Sequence, residues 1–460
     1  MIRESGQNFS KISGRVYLAL MVSILVIAAA GCAPAAAPVE DTASPIEVAL
    51  PTLTPIPEVK SGTLFVDVSQ KLGEISPLVY GSNYGPWLFV TLDVRPQAVD
   101  AKLSYLRFPG GNWGDLNDLD EWSIDQYIAM CKELGTEPAI SVRLRGGSVE
   151  HALYVLRYVN IEKQYGVRYW SIGNEPSLYP DYTTESFNEE WRTFATQMKE
   201  LDPSILLVGP DIHQFTADLA GNPKDENGKD WLEGFLKVNG DLVDIVVVHR
   251  YPFPIGKNGV PPSVDDLRGA SAEWDETIPA LRALIREHTG RDILVGVTEV
   301  NSSWASTSGG EATLDSHFNA IWWADSLGRM IRQGTDVVAQ FCLVGEYGLM
   351  GKYDVLPTYY VYQMYQRFGT QLLYASSDRD DLSIFAASGD DATVTMMAIN
   401  LGDEETTYPI QIEGMQGGTA EVWLFDAKHP AEYIGTEQIS GGDALTLPGQ
   451  SISLYVFPAH

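Results

Sequence analysis

The stretch RYWSIGNEPSLYPDYTTESFNEEWRTFATQMKELDPSILLV, residues 168–208, contains the repeating unit that decides the fold. It opens with an apolar run at 168–172, which is typical of a short buried strand. Over 187–201 the apolar residues recur at steps of three and four, which predicts a helix with one buried face. A second apolar run follows at 205–208. The order strand, helix, strand predicts a parallel βαβ unit.

The same unit repeats along residues 77–371. Between the apolar runs lie amphipathic segments of helical period, and such a series of strand–helix units predicts a closed (β/α)₈ TIM barrel. An open doubly wound sheet is the alternative, but no Gly-x-Gly-x-x-Gly phosphate loop follows the first run. The eight candidate strands lie at 78–81, 103–108, 138–142, 168–172, 205–208, 242–248, 293–297 and 337–343.

The pattern changes near residue 372, where short strands alternate with turns and glycine pairs stand at 417–418 and 441–442. This pattern predicts an antiparallel β-sandwich as a second domain. A further short strand at 63–68 precedes the barrel and is expected to join that sandwich. The second domain would then consist of residues 61–76 and 372–460.

The first residues predict export from the cytoplasm. A basic start and an apolar run at 16–30, too short to span a bilayer, indicate a signal peptide over 1–31. The run ends in Ala-Ala-Gly-Cys, which resembles a bacterial lipobox and predicts lipidation of Cys32. Residues 32–60 are rich in Pro, Ala and Thr, as in an extended tether. We therefore expect a cell-surface lipoprotein with a membrane lipid anchor, or a secreted protein if an ordinary peptidase cleaves nearby.

The net charge of the chain bears on which macromolecules could bind it, and its cysteine count bears on whether disulfides are expected. With 61 acidic and 31 basic residues the net charge is −30, which repels polyanions and disfavours a nucleic-acid partner. Once Cys32 is assigned to lipidation, Cys131 and Cys342 remain. Both stand in apolar runs, and two cysteines make no disulfide framework, so we expect buried free thiols.

Two glutamates lie at the C-terminal ends of predicted strands, where TIM barrels place their catalytic residues. Glu175 ends the fourth predicted strand and Glu299 the seventh. Glycosidic cleavage needs such a pair: one carboxylic acid protonates the leaving oxygen, and one carboxylate attacks the anomeric carbon or directs water to it. The acid is expected in a poorly solvated place that raises its pKa. Because Pro176 disfavours the α region for the preceding residue, we expect extended backbone at Glu175.

Other polar and aromatic residues follow the same strand ends. A carboxylate that must stay ionised needs hydrogen-bond donors, and Arg107, His249 and Tyr251 are placed to supply them. Trp113 and Trp304 follow the second and seventh strands, where their rings could form walls that stack on a sugar.

No metal or cofactor is expected. The acidic run over 115–120 resembles a calcium loop, but it lacks the glycine and terminal glutamate of an EF-hand. Asx turns explain it better. The sequence also has neither a Gly-x-Ser-x-Gly elbow nor a His-Glu-x-x-His zinc motif, so serine hydrolase and zinc protease chemistry find no support.

Three segments resemble clan A glycoside hydrolases. Ser-Ile-Gly-Asn-Glu-Pro at 171–176 is similar to their acid/base motif, and Thr-Glu-Val-Asn-Ser at 298–302 to their nucleophile segment. Leu-Arg-Phe-Pro-Gly-Gly-Asn at 106–112 is similar to the second strand of arabinofuranosidase-like members. The stretch 172–211, and Glu-Val-Asn-Ser at 299–302 with the glycine pair 309–310 after it, are most similar to the β-glucuronidase and heparanase family. The resemblance covers most of residues 62–460.

The resemblance implies a retaining enzyme with Glu175 as acid/base and Glu299 as nucleophile, with their carboxyl groups about 5–5.5 Å apart. It also implies that Asn174 contacts the sugar 2-hydroxyl and that Arg107 supports the floor of the glycone subsite. Further implied roles are orientation of the nucleophile by His249 and Tyr251, and substrate contact through Asn112 and Trp304.

The substrate stays open at this point. The resemblance to glucuronidases favours glucuronides, whereas the second-strand motif favours arabinofuranosides or xylosides. A surface lipoprotein that binds glycans without cleaving them is the alternative outside enzymes. Transglycosylation is a third possibility, and product analysis with excess acceptor sugar would separate it from hydrolysis.

Overall fold

The computed structural model describes residues 59–253, 262–305, 308–346 and 348–459. These residues belong to one compact unit, Ala49–His460. The predicted signal peptide, Cys32 and all but the last two residues of the predicted tether lie outside the described residues. Among the described helices, none has both the length and the apolar character needed to cross a bilayer.

The first described strand, β1 (Leu64–Glu74), belongs to the second domain, and the eight strands that follow close into a parallel barrel. The predicted TIM barrel is confirmed. The barrel strands are β2 (Gly81–Asn83), β3 (Tyr105–Phe108), β4 (Glu137–Val142), β5 (Tyr169–Ile172), β6 (Leu206–Ile212), β7 (Ile245–Arg250), β8 (Leu294–Val300) and β9 (Val337–Gln340).

The first barrel strand begins later than the sequence pattern indicates. The apolar run at 78–81 predicted a strand, but Pro77–Val79 forms a short 3₁₀ turn and β2 starts at Gly81. Proline suits the first position of a helical turn. The side chain of Ser76 caps this turn by accepting a hydrogen bond from the amide of Leu78.

Helices surround the barrel and follow the predicted order. In the helix over 184–201 the residues Phe187, Trp191, Phe194 and Met198 are buried, as the periodicity predicted. The helices are α1 (Arg95–Asp100), α2 (Trp113–Leu116), α3 (Glu121–Leu134), α4 (Val149–Leu156), α5 (Thr184–Leu201), α6 (Trp231–Asn239), α7 (Val264–Ala270), α8 (Trp274–Thr289), α9 (His317–Arg332) and α10 (Pro357–Tyr365).

The barrel interior is filled near the N-terminal ends of its strands. Tyr105, Tyr169, Val208 and Ile245 belong to one buried apolar cluster there. Tyr105 and Tyr169 meet edge to face, with ring centroids 5.7 Å apart. Such packing closes the bottom of the barrel and leaves the opposite mouth for polar groups.

The second domain is a nine-stranded sheet in the order β15-β14-β17-β12-β11-β10-β1-β13-β16. As predicted, these residues form a mostly-β second domain with its own apolar core. Its strands pair antiparallel except that β1, which pairs antiparallel with β10, pairs parallel with β13. The remaining strands are β10 (Gln371–Ser376), β11 (Leu382–Ser388), β12 (Val394–Asn400), β13 (Thr406–Glu413), β14 (Gly418–Phe425), β15 (Glu432–Ile439), β16 (Ala444–Leu447) and β17 (Ser451–Phe457).

Both predicted thiols are buried. Cys131 lies in α3 and Cys342 just after β9, and neither is in a disulfide, as expected. Burial raises the pKa of the Cys131 thiol to about 11 and that of Cys342 to about 12. Both side chains therefore behave as small apolar groups at neutral pH.

Candidate active site

Strand irregularities shape the mouth of the barrel. Register shifts interrupt the pairing of β6 with β7, of β7 with β8 and of β8 with β9, close to the C-terminal ends of the strands. A bulge bends its strand and redirects the side chains beside it. Here Asp211, His249 and Glu299 are directed to one place, and all three are at least 96% buried, with relative exposures of 1%, 0% and 4%.

Both oxygens of the Glu299 carboxylate accept hydrogen bonds. Oε1 accepts from Nη1 of Arg107 at 2.8 Å and from the amide of Gly111 at 3.0 Å, and Oε2 accepts from the hydroxyl of Tyr251 at 2.9 Å. These three donors hold the buried carboxylate in a fixed position.

Gly111 reaches Glu299 through an unusual backbone conformation. Its φ of +71° lies in the left-handed region that L side chains rarely adopt. A Cβ at this position would also contact the Phe341 ring at 3.5 Å. That distance is an ordinary van der Waals contact, so the second glycine of the Pro-Gly-Gly-Asn segment is needed for its backbone conformation, which directs its amide to Glu299.

Arg107 is buried beneath the glutamates and hydrogen-bonds several residues of the site. Its Nη2 donates to Oδ1 of Asn174 at 2.8 Å, and its Nη1 donates to Oδ1 of Asn83 at 3.0 Å as well as to Glu299. Nη2 also lies 3.4 Å from Oδ1 of Asp211. The guanidinium is only 1% exposed, and the two carboxylates raise its pKa despite burial.

The backbone of Glu175 corrects one prediction. Extended backbone was expected before Pro176, but Glu175 has φ 40° and ψ 54°, in the left-handed region. The preceding Gly173 turns the chain with a φ of +80° as β5 ends. The amide of Glu175 then donates to the carbonyl oxygen of Asp211 at 3.1 Å, which holds the residue in a turn.

His249 lies between two carboxylates. Its Nδ1 is 2.9 Å from Oε1 of Glu175 and its Nε2 is 3.0 Å from Oδ1 of Asp211, whereas Glu299 is 3.7 Å from Nδ1. The sequence assigned His249 to orientation of Glu299, but its hydrogen bond goes to Glu175. Burial opposes the imidazolium, yet the carboxylates raise the pKa of His249 to about 9.

The pKa of Glu175 departs from the expected direction. Burial raises it, but the hydrogen bond and positive charge of His249 outweigh burial, and the pKa lies below its ordinary value. The shifts of the two groups both favour a protonated His249 beside an ionised Glu175.

The two glutamates are close together. One carboxylate oxygen of Glu175, one of Glu299 and a ring nitrogen of His249 all lie within 4.8 Å of one another. These three side chains could in principle hold a metal ion. Each carboxylate is already engaged by protein donors, and the Arg107 cation occupies the position beside Glu299.

Asn174 is oriented by a network of fixed partners. Its Nδ2 donates to Oδ1 of Asn112 at 2.9 Å, and its backbone amide donates to Oδ1 of Asp115 at 3.1 Å. Asp115 also accepts from the hydroxyl of Tyr179 at 2.8 Å. Burial raises the pKa of Asp115 to about 7. This aspartate, which the sequence placed in an Asx-turn run, supports the loop that carries Asn174 and Glu175.

A cleft of about 500 Å³ opens above the two glutamates, within the range of small-molecule sites. Trp304, 40% exposed, packs edge to face with Tyr251 at 6.3 Å and beside His213 at 5.7 Å. Also lining the cleft, Trp87 and Trp113 lie together with ring centroids 6.3 Å apart. Aromatic rings thus border the carboxylates.

The structure brings together every residue that the sequence singled out for catalysis or substrate contact. Their roles stay predictions. Sequence reasoning missed Asn83, Asp211, His213 and Trp87. Gly-Pro-Asp at 209–211 carried a usable signal, because a proline within a strand indicates a bulge.

Comparisons with curated proteins find similarity at low identity over part of the chain. No protein-family model matches the chain. A probable α-L-arabinofuranosidase C from Aspergillus terreus is 24% identical over 216 residues, 34% of this chain and 43% of that protein. The intracellular exo-α-(1→5)-L-arabinofuranosidase 1 of Bacillus subtilis is 22% identical over 252 residues, 42% of this chain and 49% of that protein. The chain therefore spans less than half the length of these relatives.

Solved structures match over a much larger part of the chain. The α-L-arabinofuranosidase from Thermotoga maritima, in an arabinose complex, has a TM-score of 0.70 at 18% identity and covers 86% of this chain and 100% of that one. A bifunctional glucanase-xylanase from a metagenome library has a TM-score of 0.69 at 20% identity and covers 86% and 99%. The chain shares their fold. None of these proteins is named a glucuronidase or heparanase, so the predicted closeness to that family is not shown.

Proposed function

We propose that this protein is a retaining glycoside hydrolase that acts on α-L-arabinofuranosides. The observation that carries the proposal is the separation of the two glutamates, whose nearest oxygens lie within 4.8 Å. Retaining enzymes hold their carboxyl groups about 5–5.5 Å apart, whereas inverting enzymes need about 6.5–9.5 Å to admit a water molecule.

The surroundings of each glutamate support distinct roles. Glu299 receives three hydrogen bonds from Arg107, Gly111 and Tyr251, which suits a carboxylate that attacks the anomeric carbon. Glu175 lines the cleft and contacts His249, which suits a group that exchanges protons. In the first step Glu299 forms an ester with the sugar while Glu175 protonates the leaving oxygen. In the second, Glu175 accepts a proton from the water that cleaves the ester.

The electrostatics of the cleft favour a neutral sugar. A glucuronate carboxylate needs a cationic partner, and no lysine or arginine is present among the described residues that line the cleft. Arg107 lies beneath and is engaged by Glu299 and Asn174. Burial lowers the pKa of His213, so its imidazole is neutral at neutral pH. Together with the named activities of the two relatives, these features favour arabinofuranosides over glucuronides.

A set of mechanism-based traps tests this proposal. The purified protein is incubated with 2-fluoro glycosides or epoxide analogues of arabinofuranose, xylose, glucose, galactose and glucuronate, followed by intact mass and peptide mapping. We expect one adduct, from the arabinofuranose trap, on Glu299. Labelling by the xylose or glucuronate trap alone would contradict the sugar but not the mechanism, and an adduct on another residue would contradict the site.

Two variants test whether the labelling is specific to Glu299. Glu299→Gln should abolish the adduct, whereas Glu311→Gln, an exposed glutamate in the same loop region after β8, should leave it unchanged. If no trap labels the protein and Glu299→Gln binds arabinoglycans as tightly as the unaltered protein without any turnover, the chain is a glycan-binding protein instead of an enzyme.

A further inference from the structure

Asp211, His249 and Glu175 form a continuous buried chain of hydrogen bonds. Oδ1 of Asp211 lies 3.0 Å from Nε2 of His249, and Oε1 of Glu175 lies 2.9 Å from Nδ1 on the other side of the ring. The hydroxyl of Thr298 donates to the same Oδ1 of Asp211 at 2.6 Å. The relative exposures of Asp211, His249 and Glu175 are 1%, 0% and 6%, so the chain reaches the cleft only at Glu175.

The backbone fixes the inner end of this chain. Asp211 follows Pro210 in β6 and has a φ of +54°, where the pairing with β7 shifts register. This conformation directs the carboxylate toward the imidazole, and the same residue's carbonyl oxygen accepts the amide of Glu175. Asp211 therefore fixes both the backbone of Glu175 and the ring that contacts its side chain.

The charges around His249 favour a cationic ring. From the neighbouring elements the groups that face or lie near it are Glu175, Asp211, Glu299, Arg107, Tyr251 and His213. Three of these are carboxylates and only Arg107 is a permanent cation. With His213 and Tyr251 neutral, a protonated His249 brings the cluster closest to neutrality.

We propose that Asp211 is a positioning residue that keeps His249 doubly protonated, so that His249 stores the proton which Glu175 delivers to the leaving group. The proton-storage part concerns the resting protein, and the delivery part rests on the proposed function.

The proton balance is complete. In the resting protein the imidazolium holds one proton on Nε2, toward Asp211, and one on Nδ1, toward Glu175. As the glycosidic bond breaks, the Nδ1 proton passes to the Glu175 carboxylate, which delivers it to the leaving oxygen. This leaves an ionised Glu175 and a neutral imidazole with its Nε2 proton. When water cleaves the glycosyl ester on Glu299, its proton passes to Glu175 and back to Nδ1. No other proton donor is required.

The storage part is tested without any substrate. The protein has seven histidines, and ¹⁵N labelling of histidine lets the ring nitrogens be titrated by NMR, with His249 assigned from the signal lost in His249→Gln. We expect both ring nitrogens of His249 to stay protonated to about pH 9. In Asp211→Asn, which keeps the shape and an acceptor oxygen, the midpoint should fall by about one to three pH units.

Control variants separate charge from packing. Thr298→Val removes the hydroxyl bond to Asp211 but leaves its charge, so the His249 midpoint should move much less than in Asp211→Asn. Glu311→Gln removes a distant exposed charge and should not move it. A His249 that is neutral at pH 7 in the unaltered protein, or a midpoint that Asp211→Asn leaves in place, would overturn the proposal.

The delivery part is tested by kinetics. In Asp211→Asn we expect kcat/KM to fall about tenfold or more for arabinofuranosides with alkyl leaving groups and much less for those with nitrophenyl leaving groups, which need little protonation. The alkaline limb of the pH profile should move to lower pH. If kcat/KM falls equally for both kinds of substrate and the alkaline limb of the pH profile does not move, Asp211 has only a structural role. Absence of turnover by the unaltered protein would contradict the proposed function, while the NMR result still decides where the proton is stored.

Discussion

The backbone amide of Glu175 donates to the carbonyl oxygen of Asp211 at 3.1 Å. Glu175 follows β5, whereas Asp211 lies near the end of β6. Both have positive φ, 40° for Glu175 and 54° for Asp211. Left-handed backbone at a non-glycine residue costs on the order of 1–3 kcal/mol and persists only where the surroundings enforce it. The placement of these two buried acids therefore costs stability, which the surrounding contacts must offset.

Removal of the proposed acid/base residue should lower activity in a way that an added nucleophile can restore. In Glu175→Ala, kcat on alkyl arabinofuranosides should fall by about 10²–10⁴-fold, because the leaving oxygen receives no proton. Sodium azide should restore turnover of nitrophenyl substrates by attacking the glycosyl ester in place of activated water. NMR of the product should show a glycosyl azide with retained configuration. An azide of inverted configuration would exchange the roles of Glu175 and Glu299.

Replacement of Arg107 by lysine should damage both stability and catalysis. A single ammonium group cannot bond Glu299, Asn174 and Asn83 together, so buried polar groups lose their partners. We expect a loss of about 3–5 kcal/mol in the free energy of unfolding, measured in urea, along with a large fall in kcat. Arg145→Lys, at a solvent-accessible ion pair with Asp181, is the control and should leave the free energy of unfolding nearly unchanged.

Stability should fall at alkaline pH because of His249. Its pKa is raised from 6.5 to about 9 on folding, so its contribution is complete below about pH 6.5 and is lost as the pH rises through about 9. The loss is on the order of 3 kcal/mol. Thermal unfolding from pH 6 to 10 should show this decline, and His249→Gln should flatten it. A decline that persists in the variant would place its origin elsewhere.

Asp115 should make the stability of the protein depend on pH in a second, more acidic range than His249 does. Burial raises its pKa to about 7, so the folded state favours the protonated acid and stability falls as the pH rises from about 4 to about 7. Asp115→Asn keeps the shape and one acceptor oxygen, places an NH₂ donor at the other position, and carries no charge. Its melting temperature relative to the unaltered protein should therefore be higher at pH 8 than at pH 4. Equal differences at both values would contradict the assignment.

Trp304 should contribute to substrate binding more than to the chemical steps. Trp304→Ala removes an aromatic wall beside Tyr251, and stacking of this kind is worth about 0.5–1.5 kcal/mol, or roughly a two- to twelvefold rise in KM. Steady-state kinetics would measure it. Trp122→Ala, which removes a 71% exposed ring outside the cleft lining, is the matched control and should leave KM unchanged.

We propose that Cys32 carries a lipid anchor, since the residues before it resemble a lipobox. In cells of a bacterial host, Cys32→Ala should move the protein from the membrane to the soluble fraction, and labelled palmitate should no longer be incorporated. Cys131→Ala is the control and should keep both properties. Incorporation of palmitate into Cys32→Ala would disprove the assignment.

The barrel was predictable because strand and helix periods alternate so regularly along 77–371. Glu175 and Glu299 could be placed in one mouth because all parallel strands of a barrel end on the same side. Arg107, His249 and Tyr251 followed from the same rule. None of these inferences needed knowledge of the backbone beyond strand direction.

The details that depend on irregular backbone were not predictable. The left-handed turn at Glu175 arises from a hydrogen bond to a distant residue, Asp211, which local propensity does not encode. Asp211 itself projects inward because β6 is bulged. Pro210 indicates a bulge there, but the sequence does not show which side chain the bulge directs into the site. The parallel pairing of β1 with β13 likewise depends on the packing of the completed sheet.

The split second domain has a consequence for the order of events on the ribosome. Strand β1 pairs with β10, and Gln371 hydrogen-bonds Gly73 across 298 residues of chain. At the usual rate of synthesis, β1 emerges roughly 15–60 s before the strand that will cover it. Throughout that interval its apolar residues and its edge have no partner in β10, which leaves β1 open to pairing with the wrong strand.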